Sequence, residues 1–260
     1  MPDPPPVIEL CDVAVESAAG ADKPALRGLN WRVAAGEFWV VGGLPGSGKT
    51  ALLETAAGLR APASGTVRLW GEDAAALAGR AQVAVRRKIG FMYSDGGRLF
   101  SHLTLAQNLA LPLCYHRNCA GDDAAAEVEE LLAAFGLTGL AHRLPGQVNP
   151  AFQQRAALAR ALALAPEVLL LDNPFAALNT AHTRWWLDFL TRPARETPAP
   201  GAAPGTVVVV CDDLRPWLAV AGQFALIQHG GWQVLGGREA LATAQEPLLR
   251  ELLAESGDNR

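Results

Sequence analysis

Hydrophobic positions along the chain fall into runs of two kinds. Val7 to Val15 alternates apolar and polar residues, the pattern of a strand with one buried face. Leu29–Val33 and Glu37–Val41 flank Ala35-Gly36 and predict a hairpin. Thr66–Trp70, after the turn Pro62-Ala63-Ser64-Gly65, and Ile89–Tyr93, after the basic stretch Val85–Lys88, predict two further strands. Val168–Leu171 and Val207–Val210 are unbroken apolar runs, as expected of parallel strands covered on both faces. Phe224–Gln228 and Trp232–Leu235 predict a late hairpin around Gly230-Gly231.

Helical spacing dominates from His102 to Leu164. Asp122–Phe135 is amphipathic and stops at Gly136, and a helix from Ala151 to Ala165 stops before Pro166. Asn149 is a good cap for that helix, and Pro150 suits its first position. His182–Leu190 and Glu246–Ala254 are also helical, whereas Glu196–Gly205 has a loop composition. Residues 1–6 form a proline-rich tail, expected to be disordered. Residues 7–256 then form one α/β domain with a helical subdomain at about 100–165.

The candidate chemistry sits where Phe38–Val41 runs into Gly43-Leu44-Pro45-Gly46-Ser47-Gly48-Lys49-Thr50-Ala51. The glycines let the backbone curl so that its N–H groups converge on phosphate oxygens, and the helix from Lys49 to Ala57 adds its N-terminal partial charge. Gly58 is the expected stop of that helix. Lys49 can reach the outer phosphates, and Thr50 can bind Mg²⁺. The spacing G-x-x-x-x-G-K-T in a strand–loop–helix context predicts nucleotide binding. Asp172, at the end of the second buried run, is placed to support the same Mg²⁺.

Composition narrows the role. A net charge of −4 gives no case for nucleic acid. Cys11, Cys114, Cys119 and Cys211 are scattered, as in reduced cytoplasmic proteins. The opening Met1-Pro2-Asp3-Pro4-Pro5-Pro6 has neither the basic region nor the apolar core of a signal peptide. No apolar run is long enough to span a bilayer, so a membrane role must come through a partner.

Four stretches carry a family resemblance. They are Gly43–Thr50, Ile89–Thr104, Leu144–Leu162 and Val168–Asn179. Over nearly its whole length the chain resembles the ATP-binding subunits of ABC transporters. Asp95–Phe100 (D-G-G-R-L-F), N-L-A-L-P-L from Asn108, R-A-A-L-A-R-A-L from Arg155 and the N-P-F after Asp172 are most similar to the ATPases of Mla-type phospholipid transporters. The resemblance implies an ABC-type P-loop NTPase fold, with an antiparallel β subdomain and the helical subdomain inserted in the core. It also implies a membrane permease as partner, a homodimer or heterodimer with another ATPase, and a place on the inner face of the membrane.

The departures from the family pattern fall on one set of positions. Ser94 stands where the family places a Mg²⁺-touching glutamine. Val148-Asn149-Pro150-Ala151-Phe152 stands in place of the dimer signature Leu-Ser-Gly-Gly-Gln. Asn173 replaces the catalytic glutamate, Asp212 the histidine that contacts the γ-phosphate, and Asn179 the D-loop aspartate. An adenine-stacking aromatic is missing near Glu16–Ser17. An amide at 173 cannot take a proton from the attacking water, a loss of roughly 10²–10⁴ in rate. Pro150 has no N–H to offer a phosphate, and Ala151 adds a methyl where close approach is needed. The expectation is an ATP·Mg²⁺-binding subunit with weak or absent hydrolysis. Two readings compete with it. One is an active transport ATPase in which Asp212 or Asp213 orients the water. The other is a regulatory or scaffold protein that nucleotide only stabilises. A small-molecule kinase has least in its favour, since no acceptor site is evident.

Overall fold

The computed structural model describes residues 6–16, 26–94, 98–118, 120–176, 178–192, 201–244 and 246–254. The tail at 1–5, the Asp95-Gly96-Gly97 segment, Cys119, Ser17 and residues 196–200 of the 196–205 loop lie outside them. The chain divides into two compact units, one of Met1–Arg86 with Gly205–Arg260 and one of Arg87–Pro204.

The first unit holds an antiparallel sheet ordered β2-β1-β4-β5, formed by β1 (Ile8–Val15), β2 (Leu26–Val33), β4 (Ser64–Leu69) and β5 (Glu72–Asp73). Ile8 stands opposite both Val33 and Leu69, which fixes the register on both sides of β1. A second layer of strands runs β10-β9-β3-β8, from β3 (Phe38–Gly43), β8 (Thr206–Cys211), β9 (Gln223–Gln228) and β10 (Gly231–Gly236). β3 is parallel to both β8 and β9, while β9 and β10 form the expected hairpin. Every residue of β8 is buried, as its unbroken apolar run requires. Trp31 of β2 packs between the two layers, with its ring 5.7 Å from Trp39 and 5.1 Å from Trp232.

The hairpin expected across Ala35-Gly36 does not form. β2 pairs with β1, and β3 pairs with β8 and β9. The burial patterns give the reason. β2 alternates and buries one face, whereas β3 is buried on both and belongs between parallel neighbours. The link is a tight turn in which Glu37 N–H donates to Ala34 O at 3.3 Å and Ala34 N–H donates to Glu37 Oε2 at 2.8 Å. Gly36 N–H reaches Thr206 Oγ1 of β8 at 2.9 Å.

α1 (Lys49–Ala56) follows β3 and ends before Gly58, whose φ of +65° makes it the stop. Two short helices were not legible in the pattern: α2 (Gly79–Arg87), which buries none of its residues, and α7 (Arg238–Thr243). The last helix, α8 (Pro247–Leu253), packs on β3, where Leu252 Cδ1 would lie 2.7 Å from a Cβ placed on Gly42.

In the second unit, β6 (Ile89–Met92) lies parallel to β7 (Val168–Asp172), with Met92 opposite Leu171. Around them are α3 (Leu105–Arg117), α4 (Ala125–Ala134), α5 (Pro150–Leu162) and α6 (Thr180–Leu190). Thr104 and Gln107 form a reciprocal capping box at the start of α3. α5 ends at Leu162 rather than at Ala165, because Ala165 has already turned into the left-handed region at φ +51°.

Candidate functional site

The residues of the first unit form a glycine-walled loop. A Cβ on Gly43 would lie 2.6 Å from Ser47 Oγ and 3.3 Å from Ile227, so no side chain fits there. Gly46 and Gly48 take φ values of +78° and +96°, a conformation that other residues adopt only under strain. Between them Ser47 N–H closes the turn on Leu44 O at 3.1 Å. Leu44 and Pro45 stand exposed at the tip of the loop. Gly48 begins α1 and brings no side-chain cap to its first-turn donors. Ser47 Oγ is buried with no hydrogen-bond partner. Lys49 is only 8% exposed, and its Nζ donates to Gly43 O at 2.5 Å and Leu44 O at 2.7 Å. Thr50 is half-buried and Ala51 buried behind it. A cradle closed to side chains, an uncapped helix start, an unsatisfied hydroxyl and an ammonium on the loop's own carbonyls together suit a polyphosphate.

Asp212 lies in the same unit. Cys211 is the register partner of Gly42, so Asp212 follows β8 at the same end as the loop follows β3, and it is exposed there. Burial, followed by the charge of Asp212, pushes the Cys211 thiol well up, so it stays protonated and is no nucleophile. Asp213 is committed elsewhere. Its carboxylate takes Arg215 Nη2–H at 2.7 Å and Nε–H at 2.9 Å.

The second unit presents its candidates at the C-terminal ends of β6 and β7. Ser94 is half-buried two residues beyond Met92. Asp172 closes β7 and is 2% exposed. Asn173 takes φ +44°, left-handed backbone that asparagine tolerates better than most residues. Gln154 of α5 braces the turn that follows, donating to Ala176 O at 3.1 Å.

The start of α5 contrasts with the start of α1. Asn149 Oδ1 accepts the Ala151 N–H at 2.9 Å, and Pro150 has no N–H. Phe152 and Gln153 N–H groups both donate to Asn149 O, at 2.9 and 3.1 Å. This helix start has spent its donors on itself. Phe152, at the last position of the expected signature, turns toward α6 and meets the His182 ring edge-on at 5.8 Å.

Two polar networks in the second unit were not foreseen. The Arg155 guanidinium lies 4.0 Å over the Trp185 ring, and its Nη2 donates to His182 Nδ1 at 3.3 Å. Asn108 is fully buried. It accepts Phe100 N–H at 2.8 Å and donates to the carbonyls of Phe100, Leu103 and Thr104 at 3.0–3.1 Å. Arg160, whose burial lowers its pKa, adds a bond to Asn108 Oδ1 at 3.3 Å and one to Arg98 O at 3.2 Å. An asparagine among the leucines of α3 was the available sign of that network.

A family model described as ABC transporter matches residues 26–176. The sulfate/thiosulfate import ATP-binding protein CysA of Caulobacter vibrioides is 35% identical over 226 residues, 86% of this chain and 63% of that protein. The methionine import ATP-binding protein MetN of the same organism is 35% identical over 227 residues, 86% of this chain and 65% of that protein. The chain thus spans a little under two thirds of the length of these curated relatives. Among solved structures, the ATP-binding cassette MJ0796, dimeric in a post-hydrolysis state with ADP and Pi, superposes with a TM-score of 0.73 at 27% identity, over 88% of this chain and 99% of that one. These relatives lend no support to the expected likeness to Mla-type phospholipid transporters, since the two named here are importers of sulfate/thiosulfate and of methionine.

Proposed function

The chain belongs to the ABC transporter family as an ATP-binding domain of the P-loop NTPase fold, and from that premise we propose that it binds ATP on Gly43–Ala51 and hydrolyses it slowly or not at all. In the first unit Thr50 would offer its hydroxyl to Mg²⁺, and the ion when bound neutralises phosphate charge. The observation that carries the reading is the difference between two helix starts. α1 begins at an uncapped glycine beside a side-chain-free cradle, while α5 begins on Asn149 and Pro150 with its donors consumed. One start suits phosphate, and the other has nothing left to give a γ-phosphate across a dimer.

The chain acts, in this reading, on the cytoplasmic face of a membrane as the ATP-binding subunit of an importer. It docks on a permease and pairs with itself or with a second ATPase. The names of its relatives favour small solutes over lipids as cargo. Asn173 lacks a carboxylate, so water beside bound ATP has no strong base at that position. Asp212 adds negative charge where a γ-phosphate partner is expected. Of the two acids that could substitute as the water's orienter, Asp213 is held by Arg215, which leaves Asp212 as the alternative. Steady-state turnover of the purified chain, alongside Lys49→Ala, tests the proposal. The expected result is ATP binding that Lys49→Ala weakens roughly 10–100-fold, with turnover far below about one per second, the lower edge of ordinary enzymes. Turnover above that edge, lost in both Lys49→Ala and Asp212→Asn, would establish the active reading instead.

A further inference from the structure

A cavity of about 290 Å³ opens at the far end of α1, wholly within the first unit, and shares no residue with Gly43–Ala51. Thr55, Arg60, Thr66, Asp73 and Gln82 supply its polar lining. Their hydrogen-bonding capacity is largely unspent. Thr55 is fully buried, and its hydroxyl has no partner, which is costly for a buried polar group. Asp73 uses Oδ1 on the Ala75 N–H at 2.9 Å and leaves Oδ2 open among the described residues. Arg60 places Nε and Nη2 on Glu54 Oε2, at 2.9 and 2.8 Å, and keeps Nη1 in reserve. The Thr66 hydroxyl and the Gln82 amide make no hydrogen bond among the described residues. The remainder of the lining is small and aliphatic.

We propose that this cavity binds a small zwitterion, a free amino acid. Arg60 Nη1 is a donor for a carboxylate oxygen, and Asp73 Oδ2 is an acceptor for an ammonium. The Thr66 hydroxyl and the Gln82 amide complete the polar shell. The volume lies at the lower edge of ordinary ligand pockets, roughly 300–1,000 Å³, and suits a ligand of amino-acid size rather than a nucleotide. The fold supplies a reason for an occupant. α2 has nine residues and buries none, while helices of that length are not self-supporting in water. Gln82 belongs to α2 and Asp73 to β5, so a ligand bonded to both fastens α2 to the rest of the unit.

The test is thermal melting and amide NMR of the full chain with glycine, L-alanine, L-serine and L-methionine, and with methylamine and acetate as half-ligands. At about 10 mM, at least one amino acid should raise the melting temperature by roughly 2 °C or more, and neither half-ligand should. Amide resonances of Thr55, Asp73 and Gln82 should move with it. Asp73→Asn, an exposed change that leaves the core alone, should weaken that response about tenfold, and Gln82→Ala, on exposed α2, should weaken it too. The ATP-induced melting shift should persist in both variants. The proposal is overturned if none of the four amino acids moves the melting curve or those resonances, or if the response survives Asp73→Asn unchanged. Failure of ATP to shift the wild-type chain would count against nucleotide binding and leave the amino-acid response to be judged separately.

Discussion

Arg215 grips Asp213 through two parallel hydrogen bonds, Nη2 to Oδ2 at 2.7 Å and Nε to Oδ1 at 2.9 Å. A carboxylate held in that fork has a fixed orientation and both oxygens engaged, so it is not free to turn toward a water. Asp213→Asn should therefore leave nucleotide affinity and any residual turnover within about twofold of wild type. Stability should fall by no more than about 1 kcal/mol, because the pair is partly exposed. Isothermal titration with ATP and a urea melt check both statements.

Lys49 has its ammonium on the carbonyls of Gly43 and Leu44. Lys49→Ala should cost roughly 10–100-fold in ATP affinity, the worth of a charge-assisted contact. The apo melting temperature should change much less, since α1 is set by buried Leu52 and Leu53. A titration paired with a thermal scan separates the two effects.

Asn173 occupies left-handed backbone at φ +44°. Replacing it with glutamate should destabilise the chain by about 1 kcal/mol, since a longer side chain meets the strain that asparagine relieves. Turnover of Asn173→Glu should stay below about one per second, because Pro150 and Asp212 still depart from the working pattern. Phosphate-release kinetics on that variant test this directly.

Asn108 is buried, bonds four backbone groups and receives Arg160. Asn108→Ala should cost about 3 kcal/mol, because several buried backbone groups lose their partner together. A urea titration followed by the near-ultraviolet signal gives the figure. The ATP-induced shift proposed for Gly43–Ala51 should survive.

His116 is held below the ordinary histidine pKa, chiefly by burial and secondarily by the Arg87 guanidinium. The unfolded chain then takes up a proton that the folded chain refuses. Its contribution to stability is complete above about pH 6.5 and is lost as pH falls below that value through the lower pKa of the folded state. His116→Gln should flatten the difference between urea midpoints measured at about pH 7.5 and pH 5.5.

Much of this architecture could be read from hydrophobic spacing. The unbroken runs Val168–Leu171 and Val207–Val210 became buried parallel strands, and Asn149-Pro150 capped α5 as its chemistry requires. The loop Gly43–Thr50 was legible because glycine at fixed spacing has a steric meaning. Leu29–Val33 and Glu37–Val41 misled because a turn between two strands does not say whether they pair. α2 escaped because a helix that buries nothing carries no apolar stripe to recognise. The grip of Arg215 on Asp213 and that of Arg155 on Trp185 are matters of rotamer and approach, which spacing along the chain does not encode.

Three indoles, those of Trp31, Trp39 and Trp232, lie within ring-contact distance across the two sheets of the first unit. Chromophores that close couple electronically. The chain therefore carries its own optical gauge, and a change in its dichroism would betray any shear between those sheets without a label being attached.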